Sequence, residues 1–255
     1  MGTAIAVSLA GGDGEPQFQY LVTTGYALEQ GRRPGELFVR FNMRDGTTRD
    51  VSTDPQKEWF GIDVAVNWLC KIPDGADILP LPLSSLVTQE SAKTRGLEEG
   101  ADLLAVSPFQ LDPENSRTKP LVRLGRIYLM PQLVATRLWA AGSTPMEIEA
   151  YLAEWRSWGG PSGSPVFVRP PLDSDDATAF ALSPQTGLLG LVHTHMNIDQ
   201  ELELSGETLA AGTIDVDYGI SVVVPAQRIL DVLMMDELEL LREQSKHALM
   251  MSRLA

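Results

Sequence analysis

The chain has 255 residues, 44% hydrophobic and 21% charged, with a formal net charge of −14. That length suffices for one large domain or two of about 125 residues, each with a core. An acidic balance of this size excludes ordinary binding to phosphate backbones, which needs clustered Lys and Arg, and a single cysteine, Cys70, excludes an intramolecular disulfide.

From the N-terminus, residues 3–9 read as a strand, Gly11-Gly12-Asp13-Gly14 as a turn and residues 18–23 as a half-buried strand by their alternation. Residues 37–41, the hairpin dipeptide Asp45-Gly46 and residues 47–52 follow, and residues 62–69 close the group. Short strands joined by glycine-rich turns suit a closed antiparallel barrel. Pro80, Pro82 and the polar run 91–100 mark a break, so the first barrel is expected over 1–85 and a connection over 86–100.

A second β unit is expected over 101–224, with strands at 102–107, 121–130, 187–193 and 219–224. Ile148, Tyr151, Leu152 and Trp155 recur at three and four, so 147–155 reads as an amphipathic helix, a strand being the other reading the pattern allows. From Pro225 onward Ile229, Leu230, Leu233, Met234, Leu238 and Leu241 line one side of a C-terminal helix (225–255), whose end, Ala248-Leu249-Met250-Met251, is either core or a contact for a partner. Pattern alone gives an all-β barrel or sandwich.

Residues 1–7 lack the basic and apolar regions of a signal peptide, and no apolar run approaches the roughly 18 residues of a membrane span. With the lone cysteine, this leads us to expect a cytoplasmic protein and no membrane partner. Cys70 itself reads as a buried thiol, since no histidine lies near it in sequence. The acidic stretches 172–176 and 199–201 read as solvated loops and not as calcium sites, for lack of alternating oxygen ligands with a turn glycine.

One stretch carries chemistry. In Gly159-Gly160-Pro161-Ser162-Gly163-Ser164-Pro165-Val166-Phe167, glycines flank a serine and Pro165 points the chain into an apolar strand. It resembles the nucleophile motif of the trypsin/chymotrypsin family, Gly-x-Ser-Gly-(Gly/Ser)-Pro. Upstream, Gly61-Ile62-Asp63-Val64-Ala65-Val66 resembles the family's aspartate motif. Tyr20-Leu21-Val22-Thr23-Thr24-Gly25-Tyr26-Ala27-Leu28 resembles its histidine motif, with Tyr26 where the imidazole belongs.

The resemblance implies an all-β fold of two antiparallel six-stranded barrels and a C-terminal helix, with the site in the cleft between barrels. It implies Ser162 as nucleophile, Asp63 as the orienting acid, and the N–H groups of Gly160 and Ser162 as oxyanion donors. It implies no cofactor and no metal, and a peptide or protein as substrate or partner. Pro161 stands where secreted trypsins keep the aspartate that receives a new N-terminus, so activation by that route is not expected.

Tyr26 changes the chemistry that follows. A serine hydroxyl is a weak nucleophile without an adjacent base, a phenol gives up its proton only near pH ~10, and a carboxylate beside it opposes that ionisation. The expected state is a neutral Tyr26 donating to Asp63, and the expected function that of a catalytically impaired protease homologue.

Of three histidines, His247 falls on the C-terminal helix, where exposure is expected. His193 and His195 fall, by the resemblance, on the strand that walls the substrate cleft. His193 matches a position facing the aspartate, so it either bonds Asp63 as a structural group or serves as a substitute base for an active endopeptidase. With Thr194, His195 and Arg156 it would contact substrate. If Arg156 points inward the pocket prefers an acidic group; if outward, it is a surface charge.

Overall fold

The computed structural model describes residues 2–9, 17–31, 37–54, 57–61, 63–69, 72–109, 117–137, 145–155, 162–168, 186–201 and 213–254. Strands dominate, with four α-helices and one 3-10 turn among the described residues, so the fold is all-β as the sequence implies.

In the first half, β1 (Ile5–Leu9), β2 (Phe18–Thr24), β5 (Glu58–Phe60), β6 (Val64–Leu69) and β7 (Leu81–Pro82) form one sheet in the order β5-β6-β2-β1-β7. Between β2 and the rest of that sheet lie α1 (Gly25–Gly31) and a separate hairpin, β3 (Phe38–Asn42) with β4 (Thr48–Ser52). The hairpin turns at Asp45-Gly46 as expected: Gly46 has φ +90°, and the Asp45 carboxylate accepts from the Thr47 N–H and hydroxyl at 2.9 and 2.7 Å.

The expected first six-stranded barrel is not formed among the described residues. Its sheet ends in strands of three and two residues, and Pro82 in β7 has no N–H to extend the ladder. The hairpin instead docks on the second half, where the Asn42 side-chain amide exchanges two hydrogen bonds with the Thr118 backbone, at 2.8 and 3.0 Å, and Asp77 pairs with Arg117.

The connection carries α2 (Gln89–Thr94), a short helix the sequence reading missed, capped by reciprocal bonds between Thr88 and Ser91. Beyond it β8 (Asp102–Phe109), β9 (Lys119–Arg137), β10 (Pro145–Glu154), β11 (Pro165–Val168), β12 (Gly187–Glu201) and β13 (Thr213–Pro225) close into a barrel in the order β10-β13-β12-β11-β8-β9. Leu103, Ala105, Ile127, Tyr151, Ala153, Trp155, Val166 and Leu189 fill its interior.

The helix reading of 147–155 is overturned, because β10 is buried on both faces. Ile148, Ala150 and Leu152 face a second core, while Tyr151, Ala153 and Trp155 face the barrel interior. A strand with apolar residues on both faces imitates helical spacing.

That second core lies between the halves. It joins Val7, Tyr20, Val22 and Val66 to Leu188, Leu191, Val222 and Val224, and to Ile229, Val232, Leu233 and Leu238 from the C-terminal helices. The single expected helix is two. Pro225 ends β13, opposite Gly190, and Ala226 precedes α3 (Gln227–Leu233). The chain breaks at Met234 and restarts as α4 (Asp236–Leu254), whose first turn carries Asp236, Glu237 and Glu239, the charge a helix N-terminus favours. Arg242 of α4 is buried and donates to the Tyr20 hydroxyl at 3.2 Å and the Leu233 carbonyl at 2.8 Å. Burial holds the Tyr20 phenol above its ordinary pKa, opposed by Arg242.

Candidate functional site

The turn bearing Ser162 is fixed from two sides. On one, the Gly163 N–H donates to the Val192 carbonyl at 2.7 Å and the Val192 N–H to the Ser164 carbonyl at 2.9 Å, so Gly163 and Ser164 together oppose one residue of β12. With Gly163 at φ +87°, this is the pattern of a G1 bulge. On the other, the Thr3 N–H donates to the Ser162 carbonyl at 2.8 Å, while the Thr3 carbonyl accepts the Thr23 hydroxyl at 2.6 Å. A Cβ on Gly163 would lie 2.0 Å from the Thr3 carbonyl oxygen, so no other residue fits there. The segment before β1 thus ties the serine turn to the first half.

Tyr26 is placed by the end of β2. The Thr24 hydroxyl accepts the Ala27 N–H at 3.2 Å, an N-cap bond that turns the strand into α1. Asp63 lies beside that turn, its carbonyl accepting the Gly25 N–H at 3.2 Å. Its backbone is in the left-handed region at φ +63°, which aspartate tolerates better than most residues. The side chain is only 8% exposed, and burial pushes its pKa up to about 6, against the pull of Arg228 on α3. Arg228 also pairs with Glu149 at 2.8 Å and Asp231 at 3.3 Å, so its charge is divided among three carboxyls.

His193 enters from the other half. In the β12–β13 ladder Val192 faces Val223 and Thr194 faces Val222, leaving His193 as the extra residue of a second bulge, immediately after the one under Ser162. Its ring reaches the first half and packs on Tyr26, with centroids 5.5 Å apart and planes tilted 56°. The residue is 0% exposed, and neither ring nitrogen has a hydrogen-bond partner among the described residues. Burial lowers its pKa to about 4.

The expected hydrogen bond from His193 to Asp63 is therefore not formed, nor is one to Ser162. No pH charges both groups fully: the imidazole is neutral above about 4, and the carboxyl ionises only near about 6.

His195 is half-buried and turned to β13, with its Nδ1 at 2.7 Å from the hydroxyl of buried Ser221, its register partner. Thr194 is half-buried between the two histidines, and His247 is exposed on α4 as expected. Gly160, Pro161, Arg156, Cys70 and the acidic stretch 172–176 lie outside the described residues. No group of three or more His, Cys, Asp or Glu among the described residues is placed to hold a metal ion, and no described helix is long and apolar enough to cross a membrane.

Sequence reasoning missed Thr3, Thr24 and Arg228. Thr24 had a local signal, a threonine three residues before the N–H it caps. Thr3 and Arg228 act across 159 and 165 residues of chain and left none.

No protein-family model matches the chain, and no curated protein sequence does. Among solved structures it is similar to the crystal structure of the Rv3671c protease in its inactive form, at 15% identity over 90% of this chain and 86% of that one, with a TM-score of 0.46. The active form of Rv3671c protease from M. tuberculosis gives 14% identity over 91% and 79%, with a TM-score of 0.44.

Proposed function

We propose that the chain is a trypsin-like serine protease homologue, catalytically impaired in the state described, that binds a peptide or protein between its two halves. The observation that carries this reading is the ring Tyr26 packs against: the His193 imidazole bonds to neither Asp63 nor Ser162. A hydroxyl held on a well-fixed turn stays a poor nucleophile without an adjacent base, and His193 does not bond to it. In this reading the serine turn forms a cradle for a carbonyl oxygen, and His195 and Thr194 line the strand along which a peptide would lie. The partner is neither nucleic acid nor a lipid surface, and the location is cytoplasmic.

A serine-reactive fluorophosphonate tests the chemistry. Wild type and Ser162→Ala should both stay unlabelled, and Tyr26→His should gain label on Ser162, because an imidazole then stands where the resemblance places the base. Labelling of the wild type at Ser162 would remove the impaired reading. For binding, peptides selected from a random display library should lose affinity at least about tenfold, or about 1.4 kcal/mol, when Ser162→Arg fills the turn; unchanged affinity would place their site elsewhere.

A further inference from the structure

His193 is the one fully buried titratable side chain near Ser162, and its ring has no hydrogen-bond partner among the described residues. Leaving two imidazole nitrogens unsatisfied in a core is costly, and a structural histidine at a bulge would ordinarily find a carbonyl. Its position is specific. It directly follows Val192, which carries both backbone bonds to Gly163 and Ser164 of the serine turn. The ring is neutral, with a lone pair free to accept a proton. What it packs against is Tyr26, on a helix of seven residues whose start is held by the Thr24 cap.

We propose that Tyr26 is an autoinhibitory stopper and His193 the base it holds in reserve. The inference rests on the impaired reading above and adds to it that the impairment is conditional. While the phenol ring covers His193, the imidazole is kept dry and turned away from the hydroxyl. When Tyr26 moves aside, a His193 nitrogen takes the Ser162 proton as the oxygen attacks. With a fluorophosphonate, the new bond joins Ser162 Oγ to phosphorus, the phosphorus–fluorine bond breaks and fluoride leaves. The imidazolium then returns the proton to solvent.

The test removes the stopper. Tyr26→Gly should label at Ser162 on the order of a hundredfold faster than wild type, the scale of general-base assistance, and Tyr26→Gly/His193→Ala should fall back to the wild-type level. Because Tyr26→Gly could fail to fold, Thr24→Val provides a second route. It loosens α1 without touching either ring, and losing an N-cap bond should raise labelling about fivefold, again only where His193 is present. A folded Tyr26→Gly protein that stays unlabelled overturns the proposal, as does labelling that survives His193→Ala. Wild-type labelling would instead strike the impaired reading, so the two failures are distinct.

Discussion

The two halves of the molecule keep their sheets in different ways. The second closes its six strands into a ring, so its interior is sealed by its own residues. The first leaves its five-stranded sheet open, and its apolar face is covered by the outside of the barrel together with α3 and α4, which belong to the far end of the chain. The closed half carries Ser162 and His193 on paired bulges, while the open half carries Tyr26 and Asp63 on a capped turn and a left-handed residue. The difference teaches where the site can give. The serine turn sits on a frame without edges, and Tyr26 and Asp63 on an open sheet partly covered by helices from the far end of the chain.

The largest way to break this contrast is Leu189→Ala, which empties a fully buried position inside the barrel. A loss of about 3–4 kcal/mol is expected in urea unfolding, with hydrogen-exchange protection falling across β8 to β13. A loss below about 1 kcal/mol would mean that the ring does not depend on its filling.

Arg242→Ala should cost about 3 kcal/mol, since it strands the Tyr20 hydroxyl and Leu233 carbonyl in the core. Its signature is regional: amides of β1, β2 and β6 should lose protection before those of β9 to β13. Equal loss in both halves would erase the distinction drawn here.

Two buried groups of the candidate site, Asp63 and His193, sharpen the comparison through pH. Asp63, raised from 3.8 to about 6, favours folding below its unfolded pKa and loses that contribution as pH rises through about 6. His193, lowered from 6.5 to about 4, does the reverse: its contribution is complete above 6.5 and disappears as pH falls through about 4. Each shift is worth about 3 kcal/mol, and between pH 4 and 6.5 they oppose one another. Relative to wild type, Asp63→Asn should therefore lose stability as pH falls across that window, and His193→Phe as pH rises. Difference curves of the same sign would refute this pairing. At pH 7, Asp63→Asn should be the more stable protein by about 2 kcal/mol.

The smallest effect is expected on the exposed hairpin. Arg40→Ala removes a bidentate pair with Asp50 that lowers the Asp50 pKa and raises that of Arg40, yet both side chains are well solvated. A change within about 0.5 kcal/mol is expected, and a larger one would show that the hairpin does more than cover the Phe41 cluster.

What was legible in the sequence was local. The Asp45-Gly46 turn and the glycine after Ser162 could be read because a few consecutive residues dictate their backbone. The all-β class followed from alternation. Features set by partners far along the chain were not legible. Register against β13 makes His193 a bulge residue, burial on two faces makes β10 a strand, and α3 brings Arg228 to Asp63. The C-terminal helix was read as continuous because its apolar spacing runs unbroken through Met234, where the backbone turns.

The Arg242–Tyr20 bond also orders events during synthesis. Tyr20 leaves the ribosome some 220 residues before its partner, so the early sheet lacks its helical cover while the barrel is being made. A nascent chain stalled before α3 would present part of that face to chaperones, and arrest at successive lengths should show it fully shielded once Ile229 to Arg242 have emerged.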